Sequence, residues 1–431
     1  MSNICPSNND FEKAVFPIRT KTSCLLKWAW STIYMRQGTS SSCHRTDWAT
    51  IPEDDFASFH NLPNKLRARQ MMRRGEWPKE GCQYCENIEL AGGVSDRQYQ
   101  FLNHTEHDRT PQELLIDPDT DEVVPTILEI YFNNTCNMAC LYCGSHFSSK
   151  WEEENRRFGV FKNGPIEFGY NNIHDGQGYD RRLEDFWRYL KDQDRYLKIR
   201  QYQIAGGEPF FQPELDQSIE FWREHPNPNL TFNFITNLKV PPKKFRSYID
   251  AFQDMVDNKS LQRVQISASI DGWGPPQEYV RYGLDCMEWQ ENFEYLLDKP
   301  WVIKCINAAI NPLSIKTMPE LVRNINRWQD RCDPHNPIYF SFMSVMAPNY
   351  MDPAIFGAGV FEQDFDDTIR EMRESNKNDI NAKQHLEGIK RQISAAPRNQ
   401  QLVDGLKVFL DEIDRRRGSD WKTLFPWLIH L

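Results

Sequence analysis

The sequence predicts an α/β protein: a partial (β/α)6 barrel of the TIM type, preceded by a cysteine-rich segment and followed by a helical extension. Three observations carry this expectation. From Ile127 onward, short apolar runs alternate with helical stretches, the pattern of strands and crossovers in a parallel sheet. Seven of the eleven cysteines fall into two groups, Cys24, Cys43, Cys82 and Cys85 before that point and Cys136, Cys140 and Cys143 just after it. From about Phe361 the chain turns helical and charged, ending in the aromatic tail Trp421–Leu431.

With 431 residues the chain has roughly three times the length of an average domain, although one α/β barrel often exceeds ~200 residues. The expected division is a cysteine-bearing module over 1–100, a linker over 101–125, a barrel over 126–350 and a helical extension over 351–431. A net charge of -10 argues against a general nucleic-acid binder, which would carry a basic face. No run of ~18 apolar residues suggests a membrane span. The start, MSNICPSNNDFEKAVFP, lacks the basic and apolar regions of a secretory signal, so the expected compartment is the cytoplasm. In a reducing compartment clustered cysteines bind metal more often than they form disulfides. Cys5, Cys286, Cys305 and Cys332 are scattered.

Taken in order, a hairpin is expected from Trp28–Met35, a turn near Gln37-Gly38, and Ser40–Arg45. A helix follows over Asn64–Arg74, ended by Gly75. Its basic run, Lys65 to Arg74, interleaved with Leu66, Met71 and Met72, reads as the solvated side of an amphipathic helix. Residues 101–125 are polar and Asp/Pro-rich. Strands are expected at Ile127–Phe132, Gln201–Ala205, Leu230–Ile235, Val264–Ile270, Trp301–Ala309 and Ile338–Val345. Helices between them are expected at Leu183–Leu190, Pro213–Trp222, Lys244–Met255, Trp289–Leu297 and Pro319–Trp328. Chemistry belongs at the C-terminal ends of such strands. Arg156–Tyr179, Gly/Asn-rich and without period, reads as a long loop over that face. Arg415–Arg417 suit the negative end of a helix dipole.

Cys136-Asn137-Met138-Ala139-Cys140-Leu141-Tyr142-Cys143 follows the first barrel strand directly. Three thiolates within eight residues can hold three irons of a [4Fe-4S] cubane and leave the fourth open. An open iron can take the amine and carboxylate of S-adenosylmethionine (SAM) and set its sulfonium beside the cluster. Zinc is the alternative, but it wants four ligands, and His146 would have to be the fourth. One βα unit later, Gly206-Gly207-Glu208-Pro209 closes the second strand. Two glycines let the backbone approach a ligand, and a carboxylate can accept from an ammonium.

In these motifs the sequence resembles the radical SAM superfamily over about Val124–Val345. The resemblance implies that Cys136, Cys140 and Cys143 bind a [4Fe-4S] cluster, with Tyr142 the aromatic before the last cysteine. It further implies that Gly206, Gly207, Glu208 and Pro209 meet the SAM amino group. Thr236 and Asn237 end the third strand, and Ser267, Ser269 and Asp271 end the fourth. Family members hold the SAM ribose and carboxylate with such groups. Arg281 resembles an arginine that pairs with the SAM carboxylate. The glycine-rich adenine motif of the family is not evident; Asn307–Asn311 occupies its place.

The four N-terminal thiolates could close a site around a second [4Fe-4S] cluster or a tetrahedral zinc. Leu66–Arg97, with Cys85-Glu86, Glu89, Gly92-Gly93 and Ser95-Asp96-Arg97, is similar to the SPASM/twitch auxiliary-cluster module of radical SAM proteins in which it precedes the barrel. Those proteins often have paired cysteines where this chain has Cys43-His44. The resemblance implies an auxiliary cluster that either binds substrate or takes an electron from a product radical. It also implies an electron donor such as flavodoxin or ferredoxin and, most often, a peptide substrate. A small-molecule metabolite is the alternative, and a non-catalytic iron–sulfur carrier is the distant one. Should the reaction be peptide epimerisation, a cysteine must donate a hydrogen atom, and Cys286, after the fourth strand, is the candidate. Cys305, inside the fifth strand, reads as core.

Overall fold

The computed structural model describes residues 20–43, 46–79, 81–90, 95, 97, 98, 121–162 and 176–431. The expectations for Cys5, His44, Gly92-Gly93, Asp96, the linker through residue 120 and the loop over 163–175 lie outside these residues.

One nine-stranded sheet organises the molecule, in the order β3-β2-β1-β4-β5-β6-β7-β8-β9. Its strands are β1 Trp30–Tyr34, β2 Thr39–Ser41, β3 Ala49–Thr50, β4 Ile127–Tyr131, β5 Gln201–Ala205, β6 Thr231–Thr236, β7 Arg263–Ser269, β8 Val302–Ile310 and β9 Ile338–Ser344. All six expected barrel strands form, each parallel to the next. The sheet is an α/β one as anticipated. The expected hairpin is also present, β1 with β2 antiparallel. However, β1 also pairs in parallel with β4, Trp30 beside Ile127 and Tyr34 beside Tyr131. Seven parallel strands therefore run side by side, one more than the sequence suggested.

Helices cover the outer face of the sheet. Tyr179–Leu190, Pro213–Glu224, Pro242–Asp257, Cys286–Glu294 and Met318–Gln329 each follow a strand and return the chain to the next. Each of the last four has its apolar stripe buried, for example Phe245, Ile249, Phe252 and Met255. An aromatic ladder joins sheet and helix, Phe232 to Phe234 at 4.8 Å and to Phe252 at 5.0 Å between ring centres. Burying one such ring contributes about 1.5–3 kcal/mol. A second core forms where the extension helices Glu362–Glu371, Lys377–Ala395 and Gln400–Arg417 pack with Ala308, Ile310 and Phe342 of β8 and β9.

The helix expected at Asn64–Arg74 forms over Pro63–Arg73, with Arg67 and Arg74 exposed as anticipated but two of its basic residues turned inward. Lys65 and Arg69 are fully buried. Lys65 Nζ donates to Ser31 Oγ at 3.0 Å, Ser40 Oγ at 2.6 Å, Ser41 O at 3.1 Å and Phe59 O at 2.7 Å. Arg69 donates to the carbonyls of Lys27, His60 and Asp121. These two side chains fasten the helix to the hairpin. The irregular stretch expected from Arg156 begins inside a helix, Ser149–Phe158, capped by Ser148.

Candidate active site at the cysteine loop

The loop bearing Cys136, Cys140 and Cys143 leaves the C-terminal end of β4 and is tied on every side. Cys136 N donates to Ser149 Oγ at 3.0 Å, and Ser148 Oγ donates to Met138 O at 2.6 Å. Trp151 Nε1 donates to Cys140 O at 2.7 Å. Ala139 N and Leu141 N donate to the carbonyls of Tyr282 and Val280, both at 2.9 Å. The helix Ser149–Phe158 and the segment 280–282 thus hold the loop between them. His146 packs its ring against Trp48 and Phe147.

Gly206 and Gly207 end β5 with φ of 74° and 61°, a region side chains disfavour. A Cβ on Gly207 would stand 2.4 Å from Thr135 O, the residue before Cys136. Gly207 N donates to Phe147 O and Glu208 N to Thr135 O. The two glycines are what let β5 approach the cysteine loop. Pro209 opens a short 3-10 turn.

Glu208 is fully buried, and its carboxylate reaches β6. Oε1 accepts from Thr236 Oγ1 and Oε2 from Asn237 N, both at 2.7 Å. Burial pushes the carboxyl up to about 7. Asn237 in turn points its Nδ2 at the Cys136 sulfur, 3.9 Å away, and at Asn137 Oδ1 at 2.9 Å. Glu208 therefore acts on the loop through Asn237.

Asp271 and Arg281 are likewise engaged with neighbouring protein groups. Arg281 Nε and Nη2 donate to the two Asp271 oxygens at 2.9 and 2.8 Å. Tyr142 OH donates to Asp271 at 2.8 Å, and Ala309 N at 2.9 Å. Asp271 is fully enclosed by these donors. Arg281 is thus a partner of Asp271 as it stands. Its guanidinium lies over the Tyr142 ring, 5.5 Å from the centre.

Burial raises the Cys136, Cys140 and Cys143 thiols, Cys143 to about 12. At Cys140 the positive charges of Arg281 and Arg417 oppose that rise. Bound metal would take the place of these protons, and the nearby cations favour the thiolate form. Among the described residues no three His, Cys, Asp or Glu side chains converge as one metal ion requires. Thiolates in a cubane need not converge so, since each takes a different iron.

The inner face of the sheet is polar. Thr32, Glu129, Gln203 and Asn233 stand side by side on β1, β4, β5 and β6. Glu129 accepts from Thr32 and Gln203, both at 2.7 Å, and Asn233 donates to Gln203 at 2.8 Å. Ser267, Cys305 and Tyr339 occupy a neighbouring row, as do Ser269, Asn307 and Ser341. Cys305 is partly exposed. Cys286, by contrast, is buried at the start of a helix, its Sγ 4.0 Å from Gly274 O and its thiol raised to about 12 by burial. Cys305, in the row of Ser267 and Tyr339, lies on the sheet.

Cys24, Cys43 and Cys82 meet in a small core with Trp28, Trp30, Trp77 and Ile127. The thiol of Cys24 is raised first by burial and then by the charges of Cys43, Cys85 and Cys82, so all four stand within electrostatic range. None is in a disulfide. Burial raises the Cys82 thiol and the charge of buried Lys27 opposes that rise, while Arg97, held by Glu89 at 2.5 Å, lies over Trp77 at 4.5 Å. Thiols beside two cations have the donor chemistry of a thiolate-bound metal group.

No protein-family model matches the chain. No curated protein matches it either. Among solved structures it is similar to native anSMEcpe with bound AdoMet and Kp18Cys peptide, at 15% identity over 57% of each chain and a TM-score of 0.32. It is also similar to Streptococcus suis SuiB, at 14% identity over 75% of this chain and 62% of that one, with a TM-score of 0.35. SuiB bound to S-adenosylmethionine gives 14%, 75%, 64% and 0.34. The matches span less than two thirds of each of those chains.

Proposed function

We propose that this protein is a radical SAM enzyme, binding a [4Fe-4S] cluster on Cys136, Cys140 and Cys143. The observation that carries this reading is the loop itself. Three free thiols lie at the C-terminal end of a parallel strand, braced by Gly206-Gly207 on one side and 280–282 on the other. Bound there, the cluster would supply one electron to SAM and break its S–C bond, giving a 5′-deoxyadenosyl radical that abstracts hydrogen from substrate. The chain's own residues do the rest. Asn237 directs an N–H at the Cys136 sulfur, Glu208 orients Asn237, and Asp271 fixes Arg281 and Tyr142 beside Cys140.

The substrate in this reading is a peptide, supported by the likeness of Leu66–Arg97 to the twitch module, with a small-molecule metabolite second. Residues 1–100 carry an auxiliary [4Fe-4S] cluster on Cys24, Cys43, Cys82 and Cys85. A cytoplasmic flavodoxin or ferredoxin supplies electrons. No helix among the described residues is long and apolar enough to cross a membrane. The test is anaerobic incubation with SAM and reductant. Wild type should form 5′-deoxyadenosine, and a variant with Cys136, Cys140 and Cys143 all changed to Ala should form none. Deoxyadenosine at the wild-type rate from that variant would overturn the proposal.

A further inference from the structure

The C-terminal extension reaches the cysteine loop through three consecutive arginines. Arg415, Arg416 and Arg417 end the helix Gln400–Arg417, whose last residues touch the helix Ser149–Phe158 through Glu154, Trp151 and Phe158. Arg416 Nη2 donates to Gly159 O at 2.9 Å, and its Nε to Glu412 at 2.6 Å. Arg415 is exposed and paired with Glu412. Both lie over Phe158.

Arg417 is different. Its side chain is 3% exposed and sandwiched between two rings, Trp151 at 4.8 Å and Tyr282 at 4.4 Å. Those two residues are the ones that grip the loop, Trp151 through Cys140 O and Tyr282 through Ala139 N. Arg417 Nε donates to Glu154 Oε2 at 3.0 Å. Nη2 stands 3.0 Å from the same oxygen without hydrogen-bond alignment, and Nη1 has no acceptor among the described residues. A buried guanidinium with an unanswered edge is costly unless an anionic group faces it. Docking the extension needs only the Nε contact and the two stacks, so the remaining positive edge is surplus to packing.

We propose that Arg417 is a positioning residue for the cluster of the proposed function: it clamps the Cys140 arm of the loop and places a positive charge, only partly balanced by Glu154, beside Cys140. The inference rests on the radical SAM reading. Iron–sulfur reduction potentials respond to nearby charge and to the hydrogen bonds around the sulfurs. A cation stabilises the reduced, more negative cluster. The extension thereby becomes part of the reductive site, and Glu154 sets how much of the charge is felt.

The experiment is an EPR-monitored redox titration of the reconstituted full-length protein with Cys82 and Cys85 changed to Ala, so that only the barrel cluster is read. Arg417→Gln should move the midpoint to more negative potential. Glu154→Gln, which uncovers the arginine, should move it to more positive potential. Arg417→Lys keeps the charge but not the stacked plane, so it should hold the midpoint near wild type while lowering the melting temperature. Opposite shifts from the two Gln variants are not produced by loosened packing alone. Should Arg417→Gln fail to fold, Glu154→Gln still decides. An unchanged midpoint in the Gln variants that fold would overturn the role of Arg417 and leave the radical SAM reading intact. A parent protein that takes up no iron on Cys136, Cys140 and Cys143 would overturn both.

Discussion

Asp271 and Arg281 face each other through two parallel hydrogen bonds of 2.8 and 2.9 Å, wholly inside the protein and beside the cysteine loop. Breaking a buried pair by removing one partner leaves the other charge stranded, at a cost of about 3–5 kcal/mol. Asp271→Asn should therefore lower the unfolding free energy by that order, measured by urea denaturation of the metal-free protein. Arg281→Lys should also lose stability, because a point charge cannot make the two-pronged contact. Stability unchanged in both variants, with SAM affinity reduced in Arg281→Lys, would return Arg281 to the role of a SAM ligand.

Glu208 gives the fold a pH dependence of definite sign. Its folded carboxyl sits at about 7, above the ordinary 4.5. Between these values the folded chain holds a proton that the unfolded chain has released. The contribution is therefore full below about pH 4.5, and stability falls as pH rises toward about 7. The effect is on the order of 3 kcal/mol at most. Glu208→Gln should flatten that slope in urea melts at about pH 5 and about pH 7.5. A slope equal to wild type would place the proton elsewhere.

Gly207 is the point of closest approach between β5 and the cysteine loop. Gly207→Ala forces a positive φ on a side chain, costing about 1–2 kcal/mol, and drives a methyl into Thr135 O. The loop must move, so reconstituted iron should fall together with melting temperature. Wild-type iron content in Gly207→Ala would mean that the approach does not shape the site.

The N-terminal thiols should bind their own cluster. Reconstituted wild type should hold about eight irons, two cubanes, and the barrel triple-alanine variant about four with a [4Fe-4S] spectrum. Changing Cys82 and Cys85 to Ala should leave the barrel cluster able to cleave SAM. One zinc and no iron in the triple variant would make the segment a structural zinc site.

Much of this was legible from the residues. Strand–helix alternation located the six barrel strands because parallel strands need crossover helices, and a crossover is long enough to show its own period. The seventh parallel strand was hidden, since no short-range signal says that Trp30–Tyr34 pairs with Ile127–Tyr131 across more than ninety intervening residues. Lys65 and Arg69 misled for a related reason. A charge run is usually solvated, and only the tertiary fold brings four acceptors around one ammonium. The polar inner face did leave a trace. Glu129, Gln203, Asn233 and Gln265 each interrupt an apolar strand at its third residue, where a strand covered on both faces would read as continuously apolar. The partners of Glu208 and Arg281 left none, because a motif gives residue types and not which atoms meet.

The pairing of β1 with β4 fixes more than the strand count. Cys24 lies just before the helix that leads into Trp30, and Cys82 packs with Trp30 and Ile127, the first residues of β1 and β4. Cys136 lies beyond Tyr131, the last residue of β4. The two thiol sets sit at opposite poles of the same rigid strands, separated by at least one strand of five residues, about 17 Å. Across such a gap electrons can tunnel while atoms cannot be exchanged. Whatever the lower pole holds, it exchanges charge rather than atoms with a group gripped by the upper thiols.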